Sequence, residues 1–513
     1  MSRFRKKFST NNLVSALPLI SILLLAAYLR LWKIREYMTF LGDEGRDMLV
    51  VKRMIVDHDL TFLGPTASVG GFFLGPIYYY FMTPFVWLFH LDPVGPAVMV
   101  ALFGIATVYL LYRVGTEWYS KEIGFIAAAF YSLSPLVIAH SRSSWNPNIV
   151  PFFSLLYSYS LYKAVGTQAK RWYFLIGVCI GVGLQLHYLF TFLLPVGAVY
   201  ILLYDRSFAR WRNYGFGVLG FLGTFGPFLA FEIKNGFPNF TTIFRYIAAG
   251  DEVAPTGNPL GILADVSYRL FARLVFFSPA PEQITITWFN EYWWWRFGII
   301  VAIVGSLGCL GYLGIRYRRK QDVLLVIWLV FGVGLFAFYQ RAIYDYYFVI
   351  MFTLPFLLFS ILLTRLWRMS LLRPVVVMIL AGVLYLNWNG RPFRHQPNRQ
   401  ADQVSDAAQA VLDGAAGNPF NFALITGSNS DHAYRYFMEI RGNPPIVIEN
   451  FDNDPERTTV TDQLLVICEY PDCKPLGHPL WEIAGFGPAE NAGEWEVGVL
   501  KVMKLVHAEI IEK

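Results

Sequence analysis

The sequence predicts a polytopic α-helical membrane protein that ends in a small α/β domain. Three observations carry that reading. Of 513 residues, 55% are hydrophobic and only 15% charged, against about 25% charged in an average soluble domain. Apolar runs near the ~20 residues that a helix needs to cross a bilayer recur through most of the chain. After Trp388 the apolar runs stop, and strand-like and helix-like stretches alternate between polar turns.

The N-terminal residues Arg3, Arg5, Lys6 and Lys7 precede an apolar run with no small-residue cleavage site, so the first span is expected to stay in place. Candidate spans then cover 13–32, 95–114, 123–140, 149–164, 172–191, 192–204, 214–233, 297–315, 323–340, 346–363 and 374–388. That is about eleven crossings. Almost no polar turn separates 172–191 from 192–204, and Pro195 is the candidate break.

Loop charge orients these spans. With the N-terminus cytoplasmic, the inner loops carry Arg113/Lys121, Lys163/Lys170/Arg171, Arg206/Arg210/Arg212, Arg316/Arg318/Arg319/Lys320 and Arg365/Arg368/Arg373. The opposite loops are longer and mixed in sign, as the positive-inside rule requires. The rule also decides 75–91, which is apolar but interrupted by Pro84. If it crossed, every later basic loop would face outward. It is therefore expected to lie along the outer face, as is a first helix over 43–57. The expected organisation is a membrane domain over 1–390 with a large external loop at 34–94, and an extracytoplasmic α/β domain over 391–513. The protein is placed in the inner (plasma) membrane.

In the last domain the pattern predicts helices at 402–412 and 430–441 and strands at 421–426, 445–450, 463–468 and 495–505. Cys468 and Cys473 lie close enough for a short-loop disulfide, with two free thiols as the alternative. Cys179 and Cys309 fall in apolar runs, and the four cysteines show no metal-ligand spacing. The net charge of +6 is modest, and no nucleic-acid partner is expected.

The candidate chemistry centres on 40–47, where Asp43, Glu44 and Asp47 surround Arg46 beside the first span. Carboxylates there also satisfy free N–H groups at a helix start. Asp43 and Asp47 share a helix face at a spacing of four. Charged groups at a membrane surface are candidates for function. Arg142 and Asn146 sit in a turn crowded with donors, 139–148, which suits a phosphate or sugar hydroxyls, with a polar turn and an interfacial Trp as the alternative. His187 ends an apolar run, where packing is the ordinary role of a histidine. Arg341 and Tyr344 open a late span, suited to a lipid phosphate or to interfacial anchoring. The Gly-rich link 66–76 lacks the Gly-Lys-Ser/Thr of a nucleotide loop.

Together these pieces resemble the GT-C superfamily of membrane glycosyltransferases, in the bacterial branch related to protein O-mannosyltransferases and the aminoarabinose lipid A transferase. The matching features are the acid-led first loop, its two interfacial helices, the Arg/Asn/Pro turn, the late span with Arg, Tyr and Pro355, and the external domain. The resemblance implies a GT-C-like fold and a polyprenyl-phosphate or diphosphate sugar donor. It further implies a lipid, glycan or protein acceptor at the bilayer's outer face, and no certain cofactor, with a divalent metal admitted. Asp43, with Glu44 beside it, becomes the catalytic acid-base candidate. Arg46, Asp47, Arg142, Asn146, His187, Arg341 and Tyr344 become substrate-binding candidates. Two departures stand out: Leu74-Gly75-Pro76-Ile77 lacks the Lys common at the second interfacial helix, and the turn after the third span has no acid. A transporter or a non-catalytic scaffold with an external binding domain are the alternatives. The first would need related halves and charges at mid-bilayer, and neither is present in the sequence.

Overall fold

The computed structural model describes residues 10–67, 70–205, 211–248, 259–283, 289–339, 343–470 and 472–508. The described chain forms two compact units. Unit one comprises Met1–Trp32, Thr61–Phe81 and Ala97–Gln396; unit two comprises Lys33–Leu60, Met82–Pro96 and Pro397–Lys513. This division differs from a boundary at residue 390, because two pieces of the first loop pack with the C-terminal segment.

Unit one is helical and membrane-embedded. Among the described residues, four helices or helix runs have the length and hydropathy to cross a bilayer: Val94–Trp118, Trp211–Lys234, Lys320–Phe338 and Ser370–Asn389. A fifth is the pair Asp345–Met351 and Leu354–Trp367, bent by 63°. Three more expected runs, 13–32, 149–164 and 297–315, fall on the unbroken helices Thr10–Leu31, Val150–Thr167 and Phe289–Arg316, and others are broken. The run 123–140 divides at Ser134, so that Pro135 starts a new helix, Pro135–His140. Proline lacks the N–H that would continue the first helix. The run 172–204 divides at His187 and not at Pro195: Lys170–Leu186 ends in extended backbone, and a 3₁₀ turn, Tyr188–Phe192, leads into Leu193–Tyr204. Pro195 lies in the first turn of that last helix, where a missing N–H costs little.

Small residues set the tightest helix pair. Lys170–Leu186 packs on Trp211–Lys234 so closely that a Cβ on Gly177 would lie 1.8 Å from the carbonyl oxygen of Gly217. Close backbone approach replaces hydrophobic driving force between helices in lipid. Gln185 Nε2 adds a 2.8 Å hydrogen bond to the Thr224 carbonyl.

Unit two is built on a four-stranded sheet: β1 (Asn421–Ile425), β2 (Gln463–Cys468), β3 (Ala489–Val497) and β4 (Leu500–His507). The order is β1-β2-β4-β3, with β1 parallel to β2 and the remaining pairs antiparallel. Every residue of β1 and β2 is buried, as expected of strands covered on both faces. The expected strand at 495–505 is instead a hairpin, since Val497-Gly498-Val499 contains a turn and Gly498 has φ +60°. The expected strand at 445–450 reduces to one bridge, Asn421 with Ile446. Helices Gln400–Ala415 and His432–Ile440 complete the unit. Cys468 and Cys473 form a disulfide with Cα atoms 5.9 Å apart.

The first-loop segment supplies two helices. Gly42–Lys52 continues as a π-helical turn, Arg53–Asp57, matching the expected span of 43–57. Ile77–Leu88 contains Pro84 and has 12 residues, about 18 Å of helix, which is too short to cross a bilayer.

Candidate active site

The acid helix Gly42–Lys52 is held within unit two by the helix His432–Ile440. Its two glycines explain the fit. A Cβ on Gly42 would lie 1.9 Å from Ser430 Oγ, and one on Gly45 would lie 2.3 Å from the Ala433 Cα. Only glycine admits the second helix at these positions. Phe40 then packs edge-on to Phe437 with ring centroids 5.6 Å apart, and Lys52 pairs with Glu439 at 3.1 Å.

The start of the helix is capped twice. Asn429 Oδ1 accepts from the Gly42 N–H at 2.9 Å, and Glu44 Oε2 accepts from the Leu41 N–H at 3.0 Å. Asn429 is itself positioned: its Nδ2 donates to Glu469 Oε1 at 2.9 Å, and Glu469 also accepts from Tyr434 and Thr426. Glu469 follows Cys468 directly, so the disulfide loop carries the residue that orients the cap.

The carboxylates differ in environment. Asp43 is exposed and bonds Arg46 Nη1 at 2.9 Å. Asp47 is fully buried and takes two bonds from the same guanidinium, at 3.0 and 2.9 Å. Glu44 is buried, and its pKa is raised from the ordinary 4.5 to about 7. Burial is the main cause, and the charges of Asp43 and Asp47 add to it. A carboxyl group that titrates near neutrality suits proton transfer. His432, bonded through Nδ1 to Ser430 Oγ at 2.8 Å, lies in the fields of Asp43 and Arg46, and burial lowers its pKa. No motif marked His432; it sits 385 or more residues from the first-loop acids in sequence, and only the docking of the two helices reveals it.

The remaining candidates belong to unit one. Arg142 is buried, and its two terminal nitrogens donate to the carbonyls of Leu29 and Trp32 at 2.8 and 2.9 Å. It thus satisfies carbonyls left over at the end of the first helix. Asn146 does the same for the Leu186 carbonyl, at 2.5 Å. His187 is buried; its Nδ1 accepts from the Leu189 N–H, and its ring stacks on Tyr188 at 4.8 Å. Tyr346 and Tyr347 come within 6 Å of that ring, and Tyr344 stacks on Tyr346 while remaining half exposed. Arg341 lies outside the described residues.

A cationic pair escaped the sequence reading. Arg269 and Arg273 are four apart on the π-helical turn Tyr268–Arg273 and grip both oxygens of Asp345, at 3.1 and 2.6 Å. The i, i+4 spacing was visible in the sequence, but the partner next to Tyr344 was not. Arg269 also pairs with Asp265 at 2.9 Å, so unit one carries two arginines balanced by two carboxylates beside a group of tyrosines, and unit two an exposed carboxylate beside one poised near neutrality. Among the described residues no three His, Cys, Asp or Glu side chains gather as a metal site.

Comparison with known proteins agrees with this architecture. Residues 74–231 match the family described as dolichyl-phosphate-mannose-protein mannosyltransferase. The structure aligns with ArnT from Cupriavidus metallidurans in the apo state at a TM-score of 0.63 and 14% identity, covering 98% of this chain and 99% of that one. It aligns equally with the same protein bound to undecaprenyl phosphate, at TM-score 0.62 and 14% identity over 97% and 98%. The oligosaccharyltransferase AglB from Archaeoglobus fulgidus, solved with an inhibitory peptide and a dolichol-phosphate, aligns at TM-score 0.54 and 12% identity over 89% and 70%. A sequence search of curated proteins gives no match.

Proposed function

We propose that this chain, which carries the GT-C glycosyltransferase fold, moves a sugar from a polyprenyl phosphate or diphosphate to an acceptor hydroxyl or amine on a lipid, glycan or protein. The observation that carries the reading is the acid helix: an exposed Asp43 next to a Glu44 whose pKa is about 7, in a chain whose whole length follows that fold.

The chemistry needs few parts. Asp43 takes the proton of the acceptor as the acceptor atom bonds the anomeric carbon. The bond from that carbon to the lipid phosphate oxygen breaks, and the phosphate leaves with the electron pair. Arg46 orients Asp43 through its 2.9 Å ion pair. A leaving phosphate requires positive charge beside it. No nucleotide is needed, since the lipid phosphate already activates the sugar. The polyprenyl phosphates bound to ArnT and AglB support this donor class. The charge bias of the loops supports a cytoplasmic N-terminus and an extracytoplasmic C-terminal domain.

The test is to incubate purified protein with a panel of polyprenyl-phosphate sugars and candidate acceptors, with and without EDTA. One donor should be consumed with release of polyprenyl phosphate. A panel in which no donor turns over in the presence of acceptor overturns the reading.

A further inference from the structure

Four arginines gather where several helix ends of unit one meet. Phe289–Arg316 and Leu354–Trp367 end there, and Lys121–Leu133 and Lys320–Gly334 begin there. Between these ends lies a cavity of about 200 Å³ whose lining includes Arg316, Arg319, Arg365, Arg368, Tyr119 and Thr364. That volume far exceeds the ~10–15 Å³ that admits one water. A second cavity, of about 50 Å³, shares Tyr312, Ile361 and Arg365 with the first. Its other walls are Leu313, Leu358, Leu362 and Cys309, so it forms an apolar slot between Phe289–Arg316 and Leu354–Trp367.

Charge decides what this space suits. Two carboxylates face the arginines: Asp322, which accepts from Tyr119 Oη at 2.7 Å, and Glu122, in the field of Arg368. Four cations against two anions leave a net positive site. Among the described residues none of the four guanidinium groups forms an ion pair within 4 Å, and Arg365 lies over the Tyr312 ring at 5.6 Å. Arginine near a helix C-terminus or in a membrane-flanking loop needs no ligand to explain it. That account gives no reason for four of them to line one cavity, nor for that cavity to share wall residues with an apolar slot. A cationic chamber beside a hydrocarbon slot, with Arg365 in both linings, matches a phosphate joined to an acyl chain, and basic pockets between transmembrane helices hold anionic head groups.

We propose that this cavity binds the phosphate of an anionic phospholipid, with the start of one acyl chain in the slot lined by Leu313, Leu358 and Leu362. The site involves none of the residues assigned to sugar transfer, so it stands or falls separately from that activity.

The test uses the full-length protein, delipidated in neutral detergent and offered phosphatidylglycerol, phosphatidylethanolamine or inorganic phosphate, with binding read by native mass spectrometry and thermal shift. Phosphatidylglycerol should bind at least about tenfold more tightly than phosphatidylethanolamine or inorganic phosphate, and the double substitution Arg365→Gln/Arg368→Gln should remove about tenfold or more of that affinity. The control Arg171→Gln/Arg212→Gln, in the first turns of the helices Lys170–Leu186 and Trp211–Lys234, should leave it unchanged. Equal binding of the two lipids, equal binding of free phosphate, or an unchanged affinity in the Arg365/Arg368 variant overturns the proposal. Should that variant fail to fold, salt on the wild type decides: rising NaCl should release phosphatidylglycerol and spare phosphatidylethanolamine, and insensitivity to salt overturns it.

Discussion

The acid helix Gly42–Lys52 and the turn 139–148 look alike in sequence. Both are short, polar and set beside apolar runs, and both offer charged groups suited to a sugar phosphate. Their fates differ. In the turn, Arg142 and Asn146 are buried and spend their donors on the carbonyl ends of neighbouring helices. In the acid helix, the capping work goes to Asn429 and to Glu44, and Asp43 keeps its carboxylate at the surface. A polar cluster becomes available for chemistry when another residue meets the backbone's needs.

The sharpest way to break this contrast is to remove one member of each cluster. Asp43→Asn should lower sugar transfer by about 100-fold or more, the scale of a lost acid-base group. Its stability should stay within about 0.5 kcal/mol of wild type, read as a nearly unchanged melting temperature, as for other exposed positions. Comparable turnover in that variant would remove Asp43 from the reaction. Arg142→Gln should do the reverse. Losing charged hydrogen bonds to buried carbonyls costs about 2–4 kcal/mol, seen as an earlier thermal unfolding transition, while the molecules that remain folded keep their KM for donor.

Glu44 tests the boundary between the two roles, because it both caps the helix and titrates near neutrality. Its folded pKa lies above its ordinary value, so the folded state holds the extra proton between about pH 4.5 and 7. Stability from this group is therefore highest below that window and falls as pH rises through it, by up to roughly 3 kcal/mol. Glu44→Gln should flatten the dependence of melting temperature on pH over that range. If ionised Glu44 also assists transfer, the rise of wild-type activity through pH 7 should vanish in the same variant. A pH–stability curve that Glu44→Gln leaves untouched would show that the side chain is better solvated than its burial implies.

The smallest effect belongs to the cap. Asn429→Ala should destabilise the acid helix by about 1 kcal/mol, read as faster hydrogen exchange at the Gly42 and Asp43 amides. Reducing the Cys468–Cys473 disulfide should move the same amides in the same direction, since Glu469 orients Asn429. Unchanged exchange in both cases would mean that helix packing alone holds the acid in place.

Much of the architecture was legible because lipid is a severe solvent. Backbone groups in hydrocarbon must be paired internally, so long apolar runs announce helices. The same severity makes Ile77–Leu88 readable as a non-crossing helix from its length and Pro84. In the C-terminal segment, β2 is found at the expected residues, 463–468, because a strand buried on both faces is a continuous apolar run. The hairpin of β3 and β4 was harder to read, since Glu490, Asn491 and Glu494 on an edge strand carry no buried pattern. The breaks at Ser134 and His187 were also missed, because a broken and an unbroken helix of the same apolar residues have the same hydropathy.

By itself, the sequence determined that Asp43, Glu44, Arg46 and Asp47 share one short helix, since spacing along a helix is a local property. It also determined that this helix follows an apolar span, since hydropathy is summed along the chain. Only tertiary structure decided which carboxylate is exposed, which is buried and which titrates near pH 7, because solvation depends on neighbours that are remote in sequence. Gly42 and Gly45 accept the helix His432–Ile440, nearly four hundred residues on. That contact fixes the environment of the acids.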